Sequence, residues 1–332
     1  MIITAWRLSG KEFEQNCGIL LKIVIMAVSF AQVADLWKTD KRQYIKKSSY
    51  LIYLVHLKRH LLPFFGGDGI PDAARVQQFV NDRLAAGLAA NTIRTSLLVL
   101  RMILDYGESQ QLWPHLSYKV HFPTSAAQVQ KVDVLSKEQQ KALSAYLQDN
   151  LSFRNLALLI CLYSGLRIGE VCALTWGDLD LAAGEIHVRK TLQRIFLADG
   201  DEREYTLSIS TPKTASSVRD IPLARNLARM VRPLKKLVRD DCFVASNAPD
   251  PIEPRYLRDY FSRLLKTLGL PRLKFHALRH TFATRCIESG CDYKTVSAIL
   301  GHASLATTMD IYVHPGHDDK KRVIDRMTRL LG

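Results

Sequence analysis

The sequence has few cysteines and no long uninterrupted apolar run, and both scarcities narrow the classes of protein to consider. Its six cysteines include no Cys-x-x-Cys pair, which favours reduced, buried thiols over a disulfide framework. The apolar segment 18–34 is interrupted by Lys22 and is too short for a membrane span. It also lacks the basic leader and cleavage site of a secretory signal. We therefore expect a cytoplasmic protein without a membrane partner, with Met26 as a second candidate start.

Acidic residues are scarce relative to basic ones. The chain carries 32 Asp and Glu against 46 Lys and Arg, a net charge of +14. Such a surplus favours an anionic partner, of which nucleic acid is the commonest, although many basic proteins bind none. The length of 332 residues is sufficient for two domains with buried cores. We find no internal repeat and no low-complexity tract.

The first part of the chain is predicted to be helical and basic. Residues 38–60 contain seven lysines or arginines and one aspartate, and their apolar positions indicate a helix with one buried stripe. A second helix is predicted at 72–86, and a third from a cap at Asn91. Residues 38–116 are therefore predicted to form a small helical bundle, after an N-terminal extension of unassigned role at 1–37.

A second domain follows a polar linker. Residues 117–135 are mixed and polar, as is typical of a connection between domains. Ser136 and Gln139 then match a capping box, which starts the domain 136–332. Within this helical domain, alternating side chains predict an antiparallel insert at 185–222. The fold class is thus mainly α with a small antiparallel β insert, whose three predicted strands are 185–189, 205–210 and 218–223.

The motifs whose residues could bind and cleave a phosphate ester are concentrated in this second domain. Two arginines can hold one phosphate by bidentate hydrogen bonds. Histidines and a lysine can transfer protons, and a tyrosine can attack phosphorus. The chain has all of these in Ser164-Gly-Leu-Arg167-Ile-Gly-Glu170, Ser210-Thr-Pro-Lys213, His276-Ala-Leu-Arg279-His280, Gly301-His302 and Tyr312.

In this order and spacing the motifs resemble those of the tyrosine recombinase (phage-integrase-like) family. The resemblance implies an N-terminal helical bundle that clamps DNA and a C-terminal mixed α/β catalytic domain. It also implies six catalytic residues: Arg167, Lys213, His276, Arg279, His302 and Tyr312.

The resemblance further implies a covalent mechanism. Tyr312 would attack the scissile phosphate of double-stranded DNA, which gives a 3′-phosphotyrosine link and a free 5′ hydroxyl. His276 would transfer the proton beside this nucleophile, and Lys213 would act as the acid for the leaving hydroxyl. Because the covalent link conserves the phosphodiester energy, neither ATP nor a metal is expected as a cofactor.

Two further residues are expected to support the site, and two assignments within it stay open. Glu170 lies one turn after Arg167 and can orient its guanidinium; His280 is expected to be structural. His276 and His280 are also spaced as zinc ligands, although the chain lacks His-Glu-x-x-His and Arg279 would repel a cation. In addition, Lys190 and Arg219 compete with Lys213 for the role of general acid.

The bundle supplies weaker candidates for DNA contact. A solvated helix surface is the better explanation of any single lysine there. With the family resemblance, the candidates for phosphate contact are Lys41, Arg42, Lys46, Lys47 and Arg94.

We expect the integrase of a mobile element. The alternatives are a chromosome-dimer-resolving recombinase, a type IB topoisomerase and a noncatalytic DNA-binding regulator. Exchange between two duplexes implies a tetramer on DNA, and the function allows for an accessory directionality factor. The apolar stripe of a predicted helix at 320–331 is expected to dock in trans on a neighbouring protomer.

Overall fold

The computed structural model describes residues 28–67, 69–122, 133–196, 205–212, 215–302 and 304, and five residues between 321 and 328. Its contacts divide the chain into two compact units. Unit 1 comprises Met1–Val129 with Ile195–Glu204, and unit 2 comprises Gln130–Arg194 with Tyr205–Gly332. Each unit has a hydrophobic core of its own.

Unit 1 is a helical bundle that begins earlier than expected. The first helix among its described residues, α1, spans Phe30–Lys41 and starts with a capping box between Ser29 and Gln32. Phe30 and Trp37 are buried in the core of the bundle. The predicted boundary at residue 38 was therefore wrong, because the apolar face of α1 already contributes to this core. The segment before residue 38 is not wholly an extension.

The remaining helices of unit 1 surround the same core. The predicted single helix at 38–60 is divided, since α1 ends at Lys41 and α2 starts at Lys47. The second predicted helix is confirmed with Asp72 as its cap. Asn91 lies inside the third helix, whose N-cap is Ala89. The elements are α2 (Lys47–His56), a π-helical turn (Leu57–Leu61), α3 (Leu62–Phe65), α4 (Ala73–Ala85) and α5 (Ala90–Ser109).

Unit 2 is built around one central apolar helix. Its helices are α6 (Lys137–Asp149), α7 (Phe153–Ser164), α8 (Ile168–Cys172), α9 (Arg225–Lys235), α10 (Pro254–Thr267), α11 (Ala277–Glu288) and α12 (Tyr293–Leu300). Every residue of α7 from Leu156 to Leu162 is buried, which makes it the centre of the core. The capping box at Ser136 and Gln139 is confirmed.

The predicted β insert is present, but its strands pair differently from the prediction. The strands are β1 (Leu179–Asp180), β2 (Glu185–Val188), β3 (Thr191–Phe196), β4 (Tyr205–Ser210) and β5 (Arg219–Pro222). The three-stranded sheet has the order β1-β2-β5, with Val188 opposite Arg219. β4 instead pairs with β3, which was not predicted to be a strand. The long segment between β2 and β5 allows a separate two-stranded sheet to form.

The predicted C-terminal helix lies largely outside the described residues. Lys321, Ile324, Asp325, Met327 and Thr328 are described, and all five are helical. Among the described helices, none is long and apolar enough to cross a membrane.

Candidate active site

The first arginine of the site is fixed at the start of a helix. Gly165 ends α7 in the left-handed conformation, and Arg167 is the N-cap of α8. The Glu170 carboxylate accepts from the backbone N–H of Arg167 at 2.9 Å and from its Nη1 at 2.8 Å. Glu170 therefore orients the Arg167 guanidinium, as the spacing in the sequence suggested.

The second arginine and the first histidine come from the start of α11. His276 occupies the N-cap position of this helix, and Arg279 follows one turn later. Arg279 is buried, with 1% of its surface exposed. Its Nη1 donates to Gly165 O and its Nη2 to Leu300 O, both at 2.8 Å. Carbonyl acceptors fix a guanidinium without cancelling its charge.

The end of α12 brings the second histidine to the arginines. Gly301 ends α12 at φ +65°, a conformation that favours glycine, and a Cβ there would lie 2.8 Å from Ser216 O. Three consecutive carbonyl oxygens at this end accept from arginines. Ile299 O accepts from Arg219, Leu300 O from Arg279 and Gly301 O from Arg167. His302 is the next residue, so its backbone is held beside three cations.

Both site histidines are neutral at physiological pH. Burial, and then the charges of His280, Arg279 and Arg167, lower the pKa of His276 to about 4. Burial and the charges of Arg279 and Arg167 likewise lower the pKa of His302 to about 4. A neutral imidazole has one acceptor nitrogen and one N–H donor. His276 can therefore accept a proton, and His302 can donate a hydrogen bond.

His280 lies against His276 rather than opposite it across a common ligand. The two rings are 4.5 Å apart between centroids and perpendicular, in an edge-to-face contact. Burial and the charge of Arg279 lower the pKa of His280. The histidine pair thus packs next to a buried cation, an environment that disfavours a metal ion.

Elsewhere in the part of the chain that the structure describes, one group of three potential metal ligands occurs. It consists of Glu185, His187 and Asp220 on β2 and β5. Arg189 Nη2 and His187 Nδ1 already bind Asp220 Oδ1, at 2.5 and 2.6 Å. The guanidinium therefore occupies the carboxylate that a metal would need.

Residues 133–318 match the model of the phage integrase family. The chain belongs to this family. The matched range covers more than half of the chain and includes the whole arginine and histidine cluster. The expected enzyme class, a tyrosine site-specific recombinase that cleaves and rejoins DNA, is confirmed at the level of the family.

Proteins similar to this chain are named as recombinases and integrases. It is 33% identical to the tyrosine recombinase XerC of Yersinia pestis over 247 residues, which cover 73% of this chain and 75% of the relative. It is 29% identical to the ICEBs1 integrase of Bacillus subtilis (strain 168) over 210 residues, 59% of this chain and 54% of the relative. These two relatives are thus a tyrosine recombinase and an integrase by name.

A solved structure has the same fold. The Tn1549 transposon integrase in complex with transposon right end DNA matches 91% of this chain and 100% of the solved chain, with a TM-score of 0.72 and 23% identity. The expected fold class, mainly α with a small antiparallel insert, is confirmed by this similarity and by the elements themselves.

The structure brings four of the six family positions together and does not test the other two. Arg167, His276, Arg279 and His302 form one cluster in unit 2. Lys213 and Tyr312 lie outside the described residues. The two rivals of Lys213 are engaged elsewhere. Lys190 Nζ lies 3.2 Å from Asp178 Oδ2, and Arg219 is buried against Glu170.

The DNA-contact candidates of unit 1 lie at its surface, and their role remains a prediction. Arg42, Lys46 and Lys47 are exposed around the connection between α1 and α2, and Lys41 at the end of α1 is half-buried. The guanidinium of Arg94, on α5, stacks over the ring of Phe122 at 4.8 Å. Such stacking holds a cation at the surface in a defined orientation.

The structural role of Arg219 was not predicted from the sequence, which offered this residue only as a rival acid. The alternation of side chains in β5 could have indicated that Arg219 is buried, since Arg219 and Ile221 face inward while Asp220 between them is exposed. A buried arginine on a strand requires a paired acceptor.

Proposed function

We propose that this chain is the integrase of a mobile element and that it acts in the cytoplasm on two double-stranded DNA sites. Six residues carry the chemistry: Arg167, Lys213, His276, Arg279, His302 and Tyr312. The observation that carries the proposal is the end of α12, where two of the family's arginines bind the carbonyls of Leu300 and Gly301 just before His302. This arrangement concentrates positive charge and a hydrogen-bond donor around one point.

In the proposed reaction the Tyr312 oxygen attacks the scissile phosphorus, and the P–O5′ bond breaks. His276 takes the phenolic proton, because burial and the neighbouring cations keep its imidazole neutral and one of its nitrogens an acceptor. Arg167, Arg279 and His302 stabilise the charge that develops on the nonbridging oxygens. Lys213 gives a proton to the leaving 5′ oxygen. The 5′ hydroxyl of the partner strand then reverses each step.

The nucleophile is tested with Tyr312→Phe on a nicked suicide substrate. The wild type should form a covalent adduct that survives denaturing electrophoresis, in the presence of excess EDTA. The Phe variant should form none, since it keeps the ring and loses the attacking oxygen. Tyr293→Phe, on α12, is the matched control and should behave as the wild type.

If Tyr312→Phe still forms the adduct, Tyr312 is not the nucleophile. Loss of the wild-type adduct in EDTA, restored by zinc, would return the His276 and His280 pair to the role of metal ligands. Relaxation of a supercoiled plasmid without a specific site would instead indicate a type IB topoisomerase, and sequence-specific binding without an adduct a noncatalytic regulator.

Resolution of chromosome dimers is the second candidate, favoured by the similarity to XerC. The two functions differ in the DNA that traps the enzyme. An integrase should form its adduct on the sequences that flank its own element. A dimer-resolving recombinase should form it on a chromosomal site unlinked to the gene.

We further propose that four protomers assemble on DNA, because two duplexes present four strands to cleave. The helix predicted at 320–331 would dock on the next protomer. Its described apolar side chains support this, since Ile324 and Met327 are 56% and 47% exposed. Burying such side chains contributes about 1.5–3 kcal/mol each before ordering costs. An accessory directionality factor would be a further partner.

Truncation after Asp319 tests the docking. Binding to one site should be nearly unchanged, while recombination between two sites should fall about tenfold for each 1.4 kcal/mol of docking energy removed. A point version replaces Ile324 and Met327 with Ser, with Asp325→Ser and Thr328→Ser as the matched control. Recombination at the wild-type rate, or an unfolded truncation, would show that the helix does not act in trans.

A further inference from the structure

Arg219 is the third arginine at the end of α12, and the proposed mechanism gives it no role. Its Nε donates to Ile299 O at 2.6 Å, and its Nη1 donates to Ser217 O at 2.9 Å. A Cβ on Gly301 would lie 3.1 Å from its Cδ. Arg219 therefore links β5, and the turn before it, to the segment that carries His302.

The same side chain shares a carboxylate with Arg167. Arg219 Nη1 and Nη2 bind the two oxygens of Glu170 at 3.1 and 2.9 Å, and both side chains are buried. Glu170 Oε1 also accepts from Arg167 Nη1 at 2.8 Å. One negative charge thus lies between two positive charges, and the three groups keep a net charge of +1.

Burial on its own would raise the pKa of Glu170. The hydrogen bonds and charge of Arg219, followed by those of Arg167, instead hold that pKa below its ordinary value. The carboxylate is therefore ionised at neutral pH. Without Arg219 it would be neutralised by Arg167 alone, and the positive charge of Arg167 would be cancelled by its own partner.

We propose that Arg219 is a positioning residue of the recombination reaction. It holds the end of α12 so that His302 meets the scissile phosphate, and it neutralises Glu170 so that the charge of Arg167 stays available to that phosphate. This inference rests on the proposed roles of His302 and Arg167. Arg219 does not act as an acid, because a guanidinium does not lose its proton in a protein.

Arg219→Lys tests the positioning. Lysine keeps the charge, but its single ammonium cannot reach Ile299 O and both carboxylate oxygens in the planar arrangement of a guanidinium. We expect single-turnover cleavage of the suicide substrate at saturating enzyme to fall about 10- to 100-fold. The dissociation constant for a single DNA site should stay within about twofold, because no phosphate contact is removed. Arg194→Lys, in the half-buried pair with Glu253, is the matched control and should cleave normally.

A second pair of variants tests the charge and also covers a failure of the lysine variant to fold. Arg219→Gln should lower cleavage further, since Glu170 then cancels Arg167. Adding Glu170→Gln removes the second charge of the buried pair, and the double variant should cleave faster than Arg219→Gln alone. Rates are compared per folded molecule, with the folded fraction measured by circular dichroism.

The outcomes separate this inference from the proposed function. If the wild type forms no adduct, the proposed function fails and the inference with it. If the wild type forms the adduct and Arg219→Lys cleaves at the wild-type rate, only the inference is overturned. A double variant no faster than Arg219→Gln, per folded molecule, would overturn the electrostatic role.

Discussion

The candidate DNA contacts of unit 1 and the site arginines of unit 2 hold their positive charges in opposite ways. In unit 1, Arg42, Lys46 and Lys47 are exposed to solvent. In unit 2, Arg279 and Arg219 are buried, and each donates to specific carbonyl or carboxylate oxygens. Both sets count equally toward the net charge of +14.

This difference in burial suits the two sets of charges to different tasks, DNA affinity and catalysis. An exposed lysine attracts phosphate over a range of geometries, and salt screens it. A buried guanidinium is expensive to desolvate and persists only where acceptors fix it, so those acceptors define its position. We infer that unit 1 supplies general affinity for DNA and that unit 2 supplies a charge placed for one phosphate.

The largest effect should come from changing a buried arginine. Arg279→Lys keeps the charge but loses the two-pronged contact with Gly165 O and Leu300 O. Single-turnover cleavage should fall about 10²- to 10³-fold, as for loss of one transition-state donor. The free energy of unfolding, from urea titration, should also fall. Arg239→Lys, in an exposed pair with Asp241, is the control, and equal effects of the two changes would break the comparison.

A smaller effect should come from the exposed lysines. Replacing Lys46 and Lys47 together with Gln should weaken DNA binding and reduce the slope of log K against log salt by about 0.9 for each phosphate that is no longer neutralised. Cleavage at saturating enzyme should not change, because the site in unit 2 is intact. The measurement is a salt series of binding isotherms. An unchanged slope would mean that neither lysine contacts a phosphate.

The smallest effect concerns pH. The pKa of His276 is about 4 in the fold, against about 6.5 when unfolded, so the unfolded chain binds more protons between these values. The contribution of this group to stability is therefore complete above pH 6.5 and is lost as the pH falls toward 4.

Urea midpoints at pH 7.5 and pH 5 check this sign. The wild type should be less stable at pH 5, and His276→Gln should show a smaller drop between the two pH values. His56→Gln provides the comparison in unit 1, where burial and then the charge of His60 lower the pKa of His56. If His276→Gln loses as much stability between pH 7.5 and pH 5 as the wild type, His276 is not the group responsible.

Local patterns predicted much of the fold because they depend on neighbours in the sequence. The capping box at Ser136 and the helix start at Asp72 are short-range, and both are confirmed. The contribution of α1, from Phe30, to the bundle was missed, since its apolar face is recognised only through the core it joins. The pairing of β4 with β3 was missed because strand partners are chosen over long separations.

The sequence by itself determined the family, the order of the motifs and the likeness of Arg167, Arg279 and His302 to catalytic residues. Residue type and spacing carry this information. Only the tertiary structure decided which atoms meet: that three arginines bind the carbonyls of Ile299, Leu300 and Gly301, and that Glu170 joins Arg167 to Arg219. Most of these contacts join residues that are 49 to 134 positions distant in the sequence. Two are closer: Arg279 and Leu300 are 21 positions apart, and Arg167 and Glu170 are 3. The energy of burying a charge depends on such partners, which the local sequence does not contain.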